Sequence, residues 1–131
     1  MDIQNRLHFC CLTREDTIET LREILLELEQ TDKRHLIDTQ NQWRRTPLTC
    51  AIDSEKPLSF LRVLLDFKPR LTALTLLHAI RRGNLDILRL LKEYGADFRQ
   101  ATNGISLLHE CILLHKNHLI EFLIIEAEVK I

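Results

Sequence analysis

The 131-residue chain has few of the residues that mark turns and aromatic cores. It contains only three glycines, three prolines, one tryptophan and one tyrosine. This scarcity argues against an all-β protein, and a hydrophobic content of 45% argues against a disordered chain. No apolar run approaches the length of a membrane span, so we expect neither a membrane segment nor a signal peptide. By length the chain suits a single domain.

The four cysteines do not suggest a disulfide framework. Two of them, Cys10 and Cys11, are adjacent, and the others, Cys50 and Cys111, stand alone within apolar segments. Free thiols that pack as small apolar groups fit a reducing compartment. The sequence therefore predicts a cytoplasmic or nuclear protein.

The net charge of −1 conceals an uneven distribution of charge. Residues 1–43 contain five Lys/Arg and nine Asp/Glu, whereas residues 44–99 contain eleven and six. Residues 100–131 contain two and four. A basic centre thus lies between two acidic ends, which points to a charged partner.

Residues 74–98 contain the clearest pattern in the chain. A short apolar helix pattern ends at Gly83-Asn84, a second one follows with paired leucines at Leu90-Leu91, and Gly95-Ala96-Asp97 ends it. Two short helices joined by a glycine turn cannot bury their apolar faces alone. They need similar helix pairs on either side, so the pattern predicts a repeat protein.

Three weaker copies of the pattern occur elsewhere in the chain. The clearest contains Thr46-Pro47-Leu48 after a turn at Arg44, where a glycine is usual. Another contains Leu107-Leu108-His109, with His115 in place of the inter-helix glycine, and the loosest begins at Leu7-His8. The spacing between copies is irregular, and counting back from Gly83 puts Leu74 at the threonine position of the third copy.

These motifs together resemble the ankyrin repeat, whose pattern is TPLH opening an inner helix, a glycine turn, an outer helix with paired leucines, and Gly-Ala-Asp. The resemblance covers nearly the whole chain and implies an all-α ankyrin-repeat solenoid of helix-turn-helix pairs with short hairpin-like loops. We expect one domain, 1–131, with approximate repeats 1–36, 37–68, 69–97 and 98–131. Departures from the pattern at Arg44, Thr49, Leu74 and His115 mark a diverged member.

The resemblance also implies a function, because ankyrin stacks bind proteins on the face formed by hairpin tips and inner helices. Carrying these positions over residue by residue gives the following candidates for partner binding: Trp43, Arg44, Arg45, Arg70, His78, Arg81, Arg82, Glu110, Leu113 and Leu114. We expect the arginines to cluster and to bind an acidic or mixed segment of another protein, with Trp43 as anchor. Two alternatives stay open: the arginines form an ordinary solvated face, or Trp43 is buried against a neighbouring hairpin.

The C-terminal helix suggests an alternative interface. It is apolar over most of its surface, at Leu119, Ile120, Phe122, Leu123, Ile124 and Ile125. A terminal repeat normally has a polar outer face, so this end predicts further repeats, a homodimer or another docked protein. The acidic helix over residues 18–29, in contrast, is typical of a cap.

Other chemistry has little support in the sequence. His115 and His118 have the spacing of helical metal ligands, and His8 lies near Cys10 and Cys11, but neither set includes a complete ligand group. Phosphate-binding loops and hydrolase motifs are missing, and a Cys111–His115 pair would need a thiolate at a buried position. We expect neither an enzyme nor a cofactor. Nucleic-acid binding through the basic centre is a third possibility that the acidic flanks disfavour.

Overall fold

The computed structural model describes residues 2–13, 18–98, 101–102 and 105–126, and these form an all-α repeat fold. The chain divides into two compact units, residues 1–70 and 71–131. The first unit contains four helices: α1 (Ile3–Leu12), α2 (Ile18–Gln30), α3 (Pro47–Asp53) and α4 (Leu58–Asp66), with a 3₁₀ turn at Arg34–Asp38 before α3.

The second unit also contains two helix pairs. They are α5 (Ala73–Arg82), α6 (Leu85–Glu93), α7 (Leu107–Leu113) and α8 (Asn117–Glu121), and a π-helical segment, Phe122–Glu126, continues α8. Two short strands, β1 (Ala101–Thr102) and β2 (Ile105–Ser106), pair in antiparallel fashion before α7. Each of the four predicted repeat segments therefore contains one pair of helices.

Within each unit the helix pairs bury their apolar residues against each other. In the first unit α1 packs on α3 and α2 packs on α4, and in the second unit α5 packs on α7. Leu7, Leu21 and Leu64 are fully buried in the first unit, as are Leu76 and Leu88 in the second. The burial supplies the apolar stabilisation that a single helix pair lacks.

Helices α3 and α5 begin at threonine caps, and the cap of α5 differs from the prediction. The Thr49 and Thr75 backbone N–H groups donate to Thr46 Oγ1 and Thr72 Oγ1, each at 3.3 Å. We expected Leu74 at the threonine position, but it lies inside α5. Leucine cannot accept a capping hydrogen bond, whereas Thr72, two residues earlier, can. Helix α5 is therefore 10 residues long, against 7 for α3.

Positive φ angles occur at several turns that follow helices. After α7, the His115 N–H donates to Ile112 O at 3.2 Å and the Lys116 N–H to Cys111 O at 2.9 Å, with His115 at φ 56°. The same pair of bonds closes α6, where Gly95 has φ 95°. Left-handed backbone strains a residue that has a Cβ atom. His115 and Arg44, at φ 60°, thus take glycine-like conformations, as their repeat positions predicted.

Replacing His115 by glycine should stabilise the chain. The change removes the left-handed strain but adds chain entropy to the unfolded state, so we expect a gain of about 0.5–1 kcal/mol in the free energy of unfolding. Urea denaturation followed by circular dichroism measures it. Gly95→Ala is the matched control. An added Cβ atom would meet nothing within 4 Å, so backbone strain is its only cost, and we expect the free energy of unfolding to fall by about 1 kcal/mol. A loss of stability in His115→Gly would contradict this account.

Candidate functional site

Trp43, the only tryptophan, lies in the loop that leads into α3, and its side chain is exposed. The exposed fraction of the residue is 63%. Among the large hydrophobic residues that the structure describes, only Ile125 is more exposed. The alternative that Trp43 is buried against a neighbouring hairpin is therefore wrong. An exposed tryptophan is an uncommon surface feature and a frequent interface anchor.

Asn41 fixes the loop that presents Trp43. Its Oδ1 accepts hydrogen bonds from the backbone N–H groups of Trp43, at 2.9 Å, and Arg45, at 3.1 Å. Backbone bonds from Asn41 N–H to Arg45 O and from Arg44 N–H to Asn41 O close the same turn. The sequence analysis missed Asn41, although an asparagine at the start of a tight loop is typical of an Asx turn.

His8 connects the base of this loop to α1. The ring is buried, and its Nε2 lies 3.0 Å from Thr39 O and 3.2 Å from Arg45 O, while Nδ1 lies 2.9 Å from Gln4 O. Carbonyl oxygens only accept hydrogen bonds, so a ring nitrogen that carries a proton donates to the carbonyl oxygen that it faces. The His8 ring thus links α1 to both ends of the loop, at Thr39 and Arg45.

Of the arginines predicted to bind a partner in the first unit, Arg45 forms an ion pair and Arg70 is held through its backbone. Arg45 Nη1 lies 2.9 Å from Asp53 Oδ2, and both side chains keep some exposure. The backbone N–H of Arg70 donates to Asp38 Oδ1 at 2.8 Å, while Arg44 is exposed in the loop. The structure thus brings Trp43, Arg44 and Arg45 together on one ordered loop.

Cys50 on α3 is fully buried. The small thiol packs inside because it tolerates an apolar site, and it accepts a weak hydrogen bond from Asn41 Nδ2 at 3.6 Å. Burial, with the Asp53 charge as a second cause, raises the pKa of Cys50 to about 11. The thiol therefore stays protonated at neutral pH and is a poor nucleophile.

In the second unit, two predicted partner-binding residues pair with each other. Arg81 Nε lies 3.4 Å from Glu110 Oε1, and the Arg81 side chain keeps about half of its exposure. Arg82 is exposed on the last turn of α5, and His78 is half-buried on the same helix. The ion pair joins α5 to α7 and lowers the charge that Arg81 offers to a partner.

Helix α7 ends in a row of exposed aliphatic residues. The exposed fractions of Ile112, Leu113 and Leu114 are 54%, 57% and 38%. Leu113 and Leu114 are thus accessible, as binding to a partner requires. The clustering of the arginines stays a prediction.

The parts of the chain that the structure describes contain no group of three or more His, Cys, Asp or Glu suited to a metal ion. His115 occupies a turn, and His118 Nε2 donates to Gly83 O at 2.9 Å. Burial, with the nearby Glu110 charge, raises the pKa of Cys111 to about 11, so the Cys111–His115 pair lacks a ready thiolate. Among the described helices, none is long and apolar enough to cross a membrane.

Removing the Asn41 side chain should loosen the Trp43 loop. In Asn41→Ala two backbone N–H groups lose their acceptor, and we expect a loss of about 1–2 kcal/mol of local stability. Time-resolved fluorescence anisotropy of Trp43 measures the loop directly, because no other tryptophan contributes. The Asn41→Asp control keeps the acceptor oxygen and should retain slow tryptophan motion. Equal motion in both variants would rule out a role for Asn41.

Comparison with protein families matches residues 71–103 to the ankyrin repeat. The match begins just before α5 and includes α6, so it coincides with the third predicted copy and its Gly83 and Gly95 turns. No curated protein matches the chain. The ankyrin repeat is a protein-interaction fold. The chain therefore contains an ankyrin repeat at residues 71–103, within an all-α repeat fold that is consistent with ankyrin-like repeats.

Proposed function

We propose that this chain is a protein-interaction module, acting as an adaptor, inhibitor or regulatory subunit, that binds its partner through the Trp43 loop. One observation supports the proposal most directly: an exposed tryptophan lies on a loop fixed by Asn41 and linked to a helix by His8. A preorganised aromatic anchor loses little conformational entropy on binding. Interfaces draw much of their affinity from such residues.

The neighbouring side chains favour a partner segment of acidic or mixed charge. Arg44 is exposed beside Trp43, and the Arg45–Asp53 pair offers both signs of charge. Arginine pairs with carboxylates through a planar fork of donors, which gives directional recognition. In the second unit, Arg82, Leu113 and Leu114 offer further accessible contacts of both charged and apolar character.

The proposed setting is the cytoplasm or the nucleus, with neither enzymatic activity nor a cofactor required. All four cysteines are free and buried, which suits a reducing compartment. Nucleic-acid binding has less support, because Arg45 and Arg81 already pair with carboxylates. Phosphate contacts would have to compete with those ion pairs.

Affinity capture from a eukaryotic cell extract tests the proposed loop. The intact chain should recover a specific protein, and Trp43→Ala should lose most of it, since truncating a central anchor commonly weakens binding at least tenfold. Leu26→Ala is the matched control, because Leu26 has a similar exposure of 54% on α2, away from the loop. Equal recovery by Trp43→Ala and the intact chain, with unchanged circular dichroism, would exclude the loop as the binding site.

The exposed apolar residues of the last helix pair favour a second candidate function, self-association. The third and fourth copies align at an offset of 32 residues, and most of the buried residues of the third copy have buried equivalents in the fourth. Ile112 is 54% exposed where the equivalent Ile80 is buried. Aliphatic side chains also replace exposed charges at four positions: Leu113 and Leu114 replace Arg81 and Arg82, and Ile124 and Ile125 replace Lys92 and Glu93. Such a change favours a covered surface.

Sedimentation velocity with charge-restoring variants tests self-association. Ile124→Lys/Ile125→Glu restores the charges of the third copy, so it should reduce a dimer of the intact chain to monomers without unfolding it. Leu26→Lys, on α2, is the control and should leave the dimer intact. An intact chain that stays monomeric over a wide concentration range would eliminate this candidate.

A further inference from the structure

A cleft lies between α1 and α2 in the first unit, separate from the Trp43 loop. Its volume is about 390 Å³. Its lining combines apolar, polar, basic and acidic side chains: Arg6, Phe9, Cys10, Thr20, Glu23, Ile24 and Glu27. Phe9 forms an exposed wall, with 53% of the residue accessible, while Cys10 and Ile24 form a buried floor. The cleft is therefore an apolar groove with a charged rim.

The spacing of the lining residues suits a helical ligand. On α1 the lining follows positions 6, 9 and 10, and on α2 positions 20, 23, 24 and 27, so each helix contributes one face. Other faces of the same two helices pack on α3 and α4, with Leu7, Leu21 and Leu28 fully buried. A groove between two helices is the usual site for the apolar stripe of a third helix.

The charge of the groove selects the kind of helix. Arg6 forms an ion pair with Glu27, so Glu23, exposed at the rim, adds negative charge that this pair does not neutralise. The outer surface of α2 also carries Glu19 and Glu29, and Glu29 Oε1 lies 3.7 Å from Arg34 Nη1. Lysine or arginine side chains beside an apolar stripe would complement this rim.

We propose that the α1/α2 cleft binds a basic amphipathic helix of a partner protein. The apolar stripe of that helix packs against Phe9 and Ile24, and a basic residue beside the stripe pairs with Glu23. The site is distinct from the Trp43 loop, which favours an acidic or mixed segment. One chain thus offers two docking sites of opposite charge preference, as an adaptor requires.

A designed helical peptide tests the cleft. The probe is a fluorescein-labelled peptide of leucine and lysine alone, with leucines at i, i+3, i+4 and i+7, and binding is followed by fluorescence anisotropy. The intact chain should bind it more tightly than a leucine–glutamate peptide of the same pattern. Phe9→Ala and Glu23→Lys should each weaken binding about tenfold.

Two matched variants separate the cleft from general effects of hydrophobicity and charge. Leu26→Ala removes a leucine as exposed as Phe9, and Glu29→Lys makes the same charge change outside the cleft. Both should bind the leucine–lysine peptide like the intact chain, as should Trp43→Ala. Circular dichroism establishes that each variant is folded.

Three results would overturn the proposal. They are absence of binding to the intact chain, equal binding by the cleft variants and their controls, and equal affinity for the leucine–glutamate peptide. Dissociation of a dimer by Phe9→Ala, with peptide binding unchanged, would instead assign the cleft to a second copy of the chain.

Discussion

Packing of one helix pair against the next is the constraint on which this structure depends. The helices are short, and α3 spans only 7 residues, so neither helix propensity nor the contacts within a pair can stabilise them alone. In each unit the inner helices pack together, α1 on α3 and α5 on α7, and bury the leucines of both pairs. The turns must then reverse the chain in few residues, which explains left-handed backbone even at His115.

The same constraint explains which parts of the fold could be predicted from the sequence. Apolar spacing and the glycine turns predicted the helix pairs, and the family match at residues 71–103 confirms the third copy. The start of α5 was mispredicted because an N-cap needs a side chain that accepts a hydrogen bond, whereas counting back from Gly83 placed Leu74 there. Capping is a local hydrogen bond, and the threonine two residues earlier supplied it.

The candidate site was less predictable, because its properties depend on three-dimensional contacts. The repeat pattern placed Trp43 at a hairpin, but burial and exposure were equally consistent with the sequence. Asn41 and His8 decide the conformation of that loop. The Asn41 contacts are local, but the His8 ring on α1 contacts Arg45 O, which lies far away in the chain. The pairing of Arg81 with Glu110 likewise depends on the packing of α5 on α7.

The central claim is that a partner protein binds the Trp43 loop. Hydrogen–deuterium exchange of the chain, alone and saturated with a captured partner, tests it most directly, because exchange reports protection along the whole backbone. The account predicts slower exchange at the amides of residues 39–46 in the complex. Unchanged exchange there, with protection confined to other segments of the chain, would contradict it.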